Sequence, residues 1–256
     1  LPSGGGTLGG YPLFALDDNA LNHIAAFECN SIEEVAEAYC EQLLRQPLET
    51  PPIIGGWSYG GVVAIEAARQ LQGKGVDVAQ LLLFDSPLKL QGDAVEEKPL
   101  GDVPDIQRAL VTRIPGLESS PQVARAAAEH FRRCTELLNG YWIPETQCLD
   151  IPVLSVRPKE GSVLLSSEGA LSRVTRAGWT SRESPGNHWT ILLGENASFI
   201  SALVREHIAT NEWLAQGEGA PAPSSCSSRS LGGSQVHPRG SSSILLERRR
   251  SSDKPI

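Results

Sequence analysis

One stretch constrains this chain more than any other. It runs from Pro51 to Arg69 and reads PPIIGGWSYGGVVAIEAAR. The apolar pair Ile53-Ile54 leads into Gly56-Trp57-Ser58-Tyr59-Gly60, and Val63, Ala64, Ala67, Ala68 and Leu71 then recur at helical spacing. That order predicts a short buried strand, a tight turn and a helix. The turn fits G-x-S-x-G, where a serine sits on a strained strand-to-helix elbow. Gly56 and Gly60 suit it because strand and helix approach too closely there for a Cβ. The helix N-terminus then lies beneath Ser58, and its unpaired N–H groups favour negative charge near the hydroxyl. The backbone N–H of Tyr59 becomes one half of an oxyanion hole. Glycine and serine are common, so the bare motif is weak, and its strand-and-helix context gives it weight. The competing reading is a glycine-rich connection in an ordinary α/β core.

The rest of the chain supplies the same kind of units. Tyr11 to Leu16 reads as a strand. Ser31-Ile32-Glu33-Glu34 is a capping box, with Ser31 as N-cap and Glu34 reaching back. It opens an amphipathic helix whose apolar face is Ile32, Val35, Ala36, Tyr39 and Leu43. Gln80 to Phe84 is a continuous apolar run that stops at Asp85-Ser86-Pro87, as a buried parallel strand does. Ile151 to Val156 reads as another strand. Strands and helices alternating at short spacing imply βαβ units and a mostly parallel sheet with helices on both faces. Residues 88–148 hold no good strand pattern. Two helices are expected there, Asp105 to Ile114 and Gln122 to Leu138, as a lid inserted over a site or as a plain packed pair. A last amphipathic helix spans Ala197 to Ile208. Beyond Gly217 the composition turns to Ser, Gly, Pro and Arg. The expected organisation is one α/β domain over residues 1–214 and a disordered tail over 215–256, in which Glu247-Arg248-Arg249-Arg250 carries no separate meaning.

Composition narrows the function classes. The 256 residues are 40% apolar, enough for a full core, and no apolar run reaches the length of a membrane span. The net charge of −8 argues against nucleic acid as a partner. Five cysteines with no C-x-x-C read as reduced thiols, hence a cytoplasmic setting. No metal or other cofactor is expected. The chain has no methionine, so it is expected to be processed, or part of something larger.

An activated serine needs a base, and the base needs an orienting acid. Of the five histidines, His23 lies in a polar loop, His130 and His207 are mid-helix, and His237 is in the tail. His188 stands on the turn Ser184-Pro185-Gly186-Asn187, before the final helix. Loops at the ends of parallel strands are where such sheets place their sites, so His188 is the candidate base. Two acids compete, Asp85 at the end of one strand and Glu160 after the next. Both precede His188, as the order serine, acid, histidine requires. The apolar run before Asp85 puts its carboxylate at a strand tip, whereas Glu160 sits in a charged Arg157-Pro158-Lys159-Glu160-Gly161 turn.

Gly55-Gly56-Trp57-Ser58-Tyr59-Gly60-Gly61, Leu83-Phe84-Asp85-Ser86-Pro87 and Gly186-Asn187-His188-Trp189-Thr190 together carry a family resemblance. From Tyr11 to about Ile208 the chain resembles the thioesterase domains that end fungal polyketide synthases and nonribosomal peptide synthetases. The resemblance implies an α/β-hydrolase fold and supports Asp85 as the acid. It implies that Ser58 takes an acyl or peptidyl chain from the phosphopantetheine arm of a carrier protein. Hydrolysis or cyclisation then releases the product, and the domain is expected to act as a monomer. The family also has a core strand and a helix around a glycine-rich oxyanion loop. Here only Gly4-Gly5-Gly6-Thr7 is available, so the N-terminal strand and helix read as missing or shortened, and Gly4 or Gly5 is the expected second oxyanion donor. The alternatives are a non-catalytic α/β-hydrolase-like binding protein and a carboxylester hydrolase.

Overall fold

The computed structural model describes residues 6–8, 11–16, 29–45, 47–91, 101–114, 116–144, 148–162, 168–215 and 243–246. In chain order the elements are β1 (Gly6–Leu8), β2 (Tyr11–Leu16), α1 (Ile32–Leu44), β3 (Ile53–Trp57), α2 (Tyr59–Gly73) and β4 (Gln80–Phe84). Then come α3 (Val103–Val111), a 3-10 turn (Leu117–Ser119), α4 (Pro121–Gly140), β5 (Val153–Glu160), α5 (Glu168–Val174), β6 (Trp179–Asn187), α6 (Gly194–Ala215) and β7 (Ser243–Leu246).

Local chemistry sets these boundaries. Ser31 accepts the Glu34 N–H at 3.2 Å, as the capping box requires. The Glu34 carboxylate reaches one residue further back than expected and accepts the Asn30 N–H at 2.6 Å. Asp102 caps α3 by accepting the Asp105 N–H at 2.8 Å, and Pro121 opens α4 where no donor is needed. The two helices expected between β4 and β5 are thus present, α3 starting and ending earlier and α4 longer at both ends than the pattern predicts.

The sheet order is β1-β2-β7-β3-β4-β5-β6. Strands β3, β4, β5 and β6 run parallel, while β1-β2, β2-β7 and β7-β3 pair antiparallel. The parallel sheet expected from sequence is β3 to β6, and an antiparallel group, β7, β2 and β1, extends it beyond β3. Alternate residues of its strands feed two apolar cores. Ile54, Leu81, Leu83 and Val153 pack with α1, α2 and α5 on one face. Ile53, Leu82, Phe84, Leu154 and Val156 pack with Ile200, Val204 and Ile208 of α6 on the other. Helix α2 is buried nearly all round, which leaves Glu66 only 3% exposed. The charge is compensated: Arg69 pairs with Glu66, and the Tyr141 hydroxyl donates to it at 2.7 Å. Burial, with Glu66 alongside, raises the Tyr141 pKa far above its ordinary value, so the hydroxyl remains a donor. This contact ties the end of α4 to the helix that follows the elbow.

Two parts of the sequence reading need correction. Strand β6 was not expected. Its residues Trp179–Asn187 are polar because it is an edge strand, with most side chains only partly covered. The sequence over 215–256 reads as a disordered tail. Its residues Ser243–Leu246 instead form β7, between β2 and β3. Ile244-Leu245-Leu246 is the apolar run in that segment, and it is the part that pairs.

His207 on α6 is buried beside Asn211, and desolvation together with the Arg182 charge pushes its pKa down from 6.5 to about 4. The unfolded chain therefore binds a proton that the folded chain refuses between those values. Stability from this group is complete above pH 6.5 and is lost as pH falls toward 4. Urea unfolding across that window should show the decline, and His207→Gln should flatten it. Parallel pH profiles for the two proteins would show that His207 is not the group responsible.

Candidate active site

Ser58 occupies the turn between β3 and α2 with φ 53° and ψ −123°. A non-glycine residue there is strained and must be held from outside. The Ser58 N–H donates to the Phe84 carbonyl at 2.9 Å, and the Gly61 N–H donates to the Ser58 carbonyl at 3.1 Å. A serine at a helix N-cap ordinarily turns its hydroxyl back onto the first turn. Ser58 makes no such bond, so its Oγ is left for chemistry. The elbow glycines follow from sterics. A Cβ on Gly56 would lie 2.1 Å from the Gly60 carbonyl carbon, and one on Gly61 would lie 1.8 Å from Ser86 Oγ. Tyr59, the first residue of α2, presents its backbone at the helix start beside Ser58.

Asp85 follows β4 directly and also takes a positive φ, 45°. Its N–H donates to the Val156 carbonyl at 2.8 Å, so the strand tip is pinned to β5. The side chain is fully buried, and its Oδ2 lies 2.6 Å from Nδ1 of His188, whose side chain is 6% exposed. A carboxylate can only accept, so Nδ1 carries the proton and Nε2 of the neutral ring is the free acceptor. Glu160 ends β5 exposed, opposite Asn187 in the sheet register. Of the two carboxylates weighed from sequence, the structure brings Asp85 to the histidine.

His188 is positioned by a bulge at the end of β6. Between Pro158–Glu160 of β5 and Ser184–Asn187 of β6 the register shifts by one residue. Gly186 absorbs the turn at φ 88°, where a Cβ would also meet Asn196 at 2.5 Å. Asn187 then locks the loop: its Oδ1 accepts the N–H of Trp189 at 2.9 Å and of Thr190 at 3.2 Å. Trp57, immediately before the serine, donates its indole N–H to the His188 carbonyl at 2.9 Å and tilts over the imidazole, centroids 4.9 Å apart. Thus a neighbour of Ser58 in the chain grips the base, and a neighbour of Asp85 grips Ser58. Phe131 of α4 lies 6.1 Å from Trp189, which meets the His188 ring edge-on at 5.3 Å. Helix α4, read from sequence as part of a lid or of a plain packed pair, therefore touches the loop that carries the base.

The remaining candidates lie elsewhere. His130 sits on α4 with its Nε2 3.3 Å from Cys134 Sγ, and His207 is on α6. His23, His237, Gly4 and Gly5 lie outside the described residues. Among the described residues no group of three or more His, Cys, Asp and Glu side chains is arranged to hold a metal ion. Among them too, no helix is long and apolar enough to cross a membrane.

Comparison with known proteins bears on the family and the fold. A family model described as thioesterase domain matches residues 21–205, more than half of the chain. The orsellinic acid synthase armB of Armillaria mellea is 44% identical over 69 residues, covering 27% of this chain and 3% of that protein. The non-reducing polyketide synthase crz7 of Cladonia metacorallifera is 25% identical over 248 residues, covering 93% of this chain and 10% of that one. The chain thus spans a tenth or less of the length of these relatives. The NocB thioesterase domain, solved as a covalent complex with a fluorophosphonate nocardicin G analog, superposes with a TM-score of 0.59 at 22% identity. That superposition covers 75% of this chain and 80% of the other.

Proposed function

The chain belongs to the thioesterase domain family, and on that footing we propose that it releases an acyl or peptidyl chain from a carrier protein's phosphopantetheine thioester. The observation that carries this reading is the buried Asp85–His188 pair, whose histidine loop is held by the indole of Trp57, the residue before an elbow serine that does not use its hydroxyl as a cap.

His188 Nε2 takes the Ser58 proton as Oγ adds to the thioester carbonyl. The tetrahedral oxyanion accepts the Tyr59 N–H and a second backbone N–H, which we assign to Gly4 or Gly5. The intermediate collapses, the C–S bond breaks, and the thiol leaves with the proton from His188. The acyl group is now an ester on Ser58. Water, or a hydroxyl, amine or carbon nucleophile of the chain itself, then adds with His188 again as base, and Ser58 recovers its proton. Throughout, Asp85 keeps the imidazole in the productive tautomer and offsets its charge when protonated. In this reading α3 and α4 shape the acyl chamber, with Phe131 of α4 reaching Trp189 of the base loop. A carrier protein as partner follows from this substrate class.

A fluorophosphonate probe tests the nucleophile directly. The chain should label at Ser58, and Ser58→Ala should abolish the label in a folded sample. A label on another serine, or none on the folded chain, would sink the reading.

A further inference from the structure

The mechanism above uses one oxygen of Asp85. The other is also engaged. Strand β5 ends at Glu160, Gly161 turns the chain at φ 57°, and the Ser162 hydroxyl then donates to Asp85 Oδ1 at 2.7 Å. Oδ2 of the same carboxylate receives His188 Nδ1 at 2.6 Å. A carboxylate anchored by one oxygen still rotates about its Cβ–Cγ bond, because that torsion is soft. Anchored by both oxygens, it is fixed in plane as well as in place. The two donors come from different elements, the loop after β5 and the loop after β6, so neither holds the carboxylate alone. Glu160 is exposed, and the hydroxyl two residues on reaches the acid.

We propose that Ser162 is a positioning residue of the acyl-transfer site: its hydroxyl fixes the plane of the Asp85 carboxylate and, through it, the tilt of the His188 ring. This rests on the serine-histidine-aspartate reading given above. Ser162 touches no reacting atom, so its loss should slow the chemical steps and leave substrate binding alone.

The test compares the unaltered chain with Ser162→Ala and Ser162→Thr. Ser162 is exposed, so all three should fold alike. With a simple acyl thioester, Ser162→Ala should lower kcat about tenfold with KM nearly unchanged, the size expected for one hydrogen bond to a charged group. Ser162→Thr, which keeps the hydroxyl, should recover most of the rate. Proton magnetic resonance gives a second readout that needs no turnover. The short Nδ1–H···Oδ2 bond should give a far-downfield proton, assigned by its loss in His188→Gln. That signal should move or broaden in Ser162→Ala and return in Ser162→Thr. A wild-type rate and an unmoved signal in Ser162→Ala would overturn the proposal, as would equal losses in both variants. Failure of the unaltered chain to label with the fluorophosphonate counts against the acyl-transfer reading alone, since the resonance experiment still decides the Ser162 contact.

Discussion

Asp85→Asn is expected to lower thioester turnover at least about a hundredfold while the protein stays folded. The fold should survive because asparagine tolerates the positive φ of 45° at this position and is nearly isosteric with aspartate. The chemistry should not survive. An amide turned toward His188 offers an N–H to Nδ1 and forces the imidazole proton onto Nε2, where it blocks uptake of the Ser58 proton. In a serine triad that error costs up to ~10⁴ in turnover. Glu160→Gln is the control, because Glu160 ends its strand exposed and it is Asp85 that holds Nδ1 of His188. It should lose no more than a few-fold. Deacylation of one model thioester, with circular dichroism as folding control, compares the two. A crippled Glu160→Gln beside an active Asp85→Asn would move the acid to the later strand and undo the assignment.

Removing residues 243–256 is expected to lower the melting temperature by about 10 °C. The strand β7 makes four register pairs with β2 and three with β3. A backbone hydrogen bond contributes about 1 kcal/mol net, and ordering the segment costs part of that sum, which leaves roughly 3 kcal/mol. In a domain of this size each kcal/mol moves the melting temperature by about 2–4 °C. Leu245→Pro in the intact chain should give a fall of similar size, since proline cannot donate to a ladder and does not fit an interior strand. Curves that superpose for all three proteins would mean that the sheet does not depend on β7.

The elbow was legible because its chemistry is local. Gly56, Ser58, Gly60 and the helix pattern sit within one turn of each other, and the sterics that demand glycine act over that same distance. The end of β4 at Asp85 and the loop before His188 were legible for a related reason: an apolar run stops abruptly, or turn residues cluster. Strand β6 was not, because period-two alternation fades on an edge strand whose faces are both partly wet. Strand β7 was not, because a short apolar run surrounded by serines and arginines gives no periodicity from which to infer a strand. Ser162 left no signal at all. Its partner is 77 residues away in the chain, and a serine after a Glu-Gly turn is the commonest of surface residues. Trp57 was read only as a variable position inside a motif, although its indole holds the base loop. Contacts of this kind exist only once the sheet has brought the strand tips together.

The position of β7 also sets an order of events during synthesis. Ile53 pairs with Leu246, and Gly55 with Ile244, so the side of β3 that faces β2 has no partner until a strand made long after β3 has been synthesised. The parallel half, β3 to β6, can assemble earlier from its own loops and helices. Until the last strand arrives, an apolar strand beside the nucleophile presents a bare edge, and such an edge pairs readily with any other strand that reaches it. Long-range closure of this kind is slow. The nascent chain therefore meets its greatest risk of wrong pairing late, when most of its core is already built.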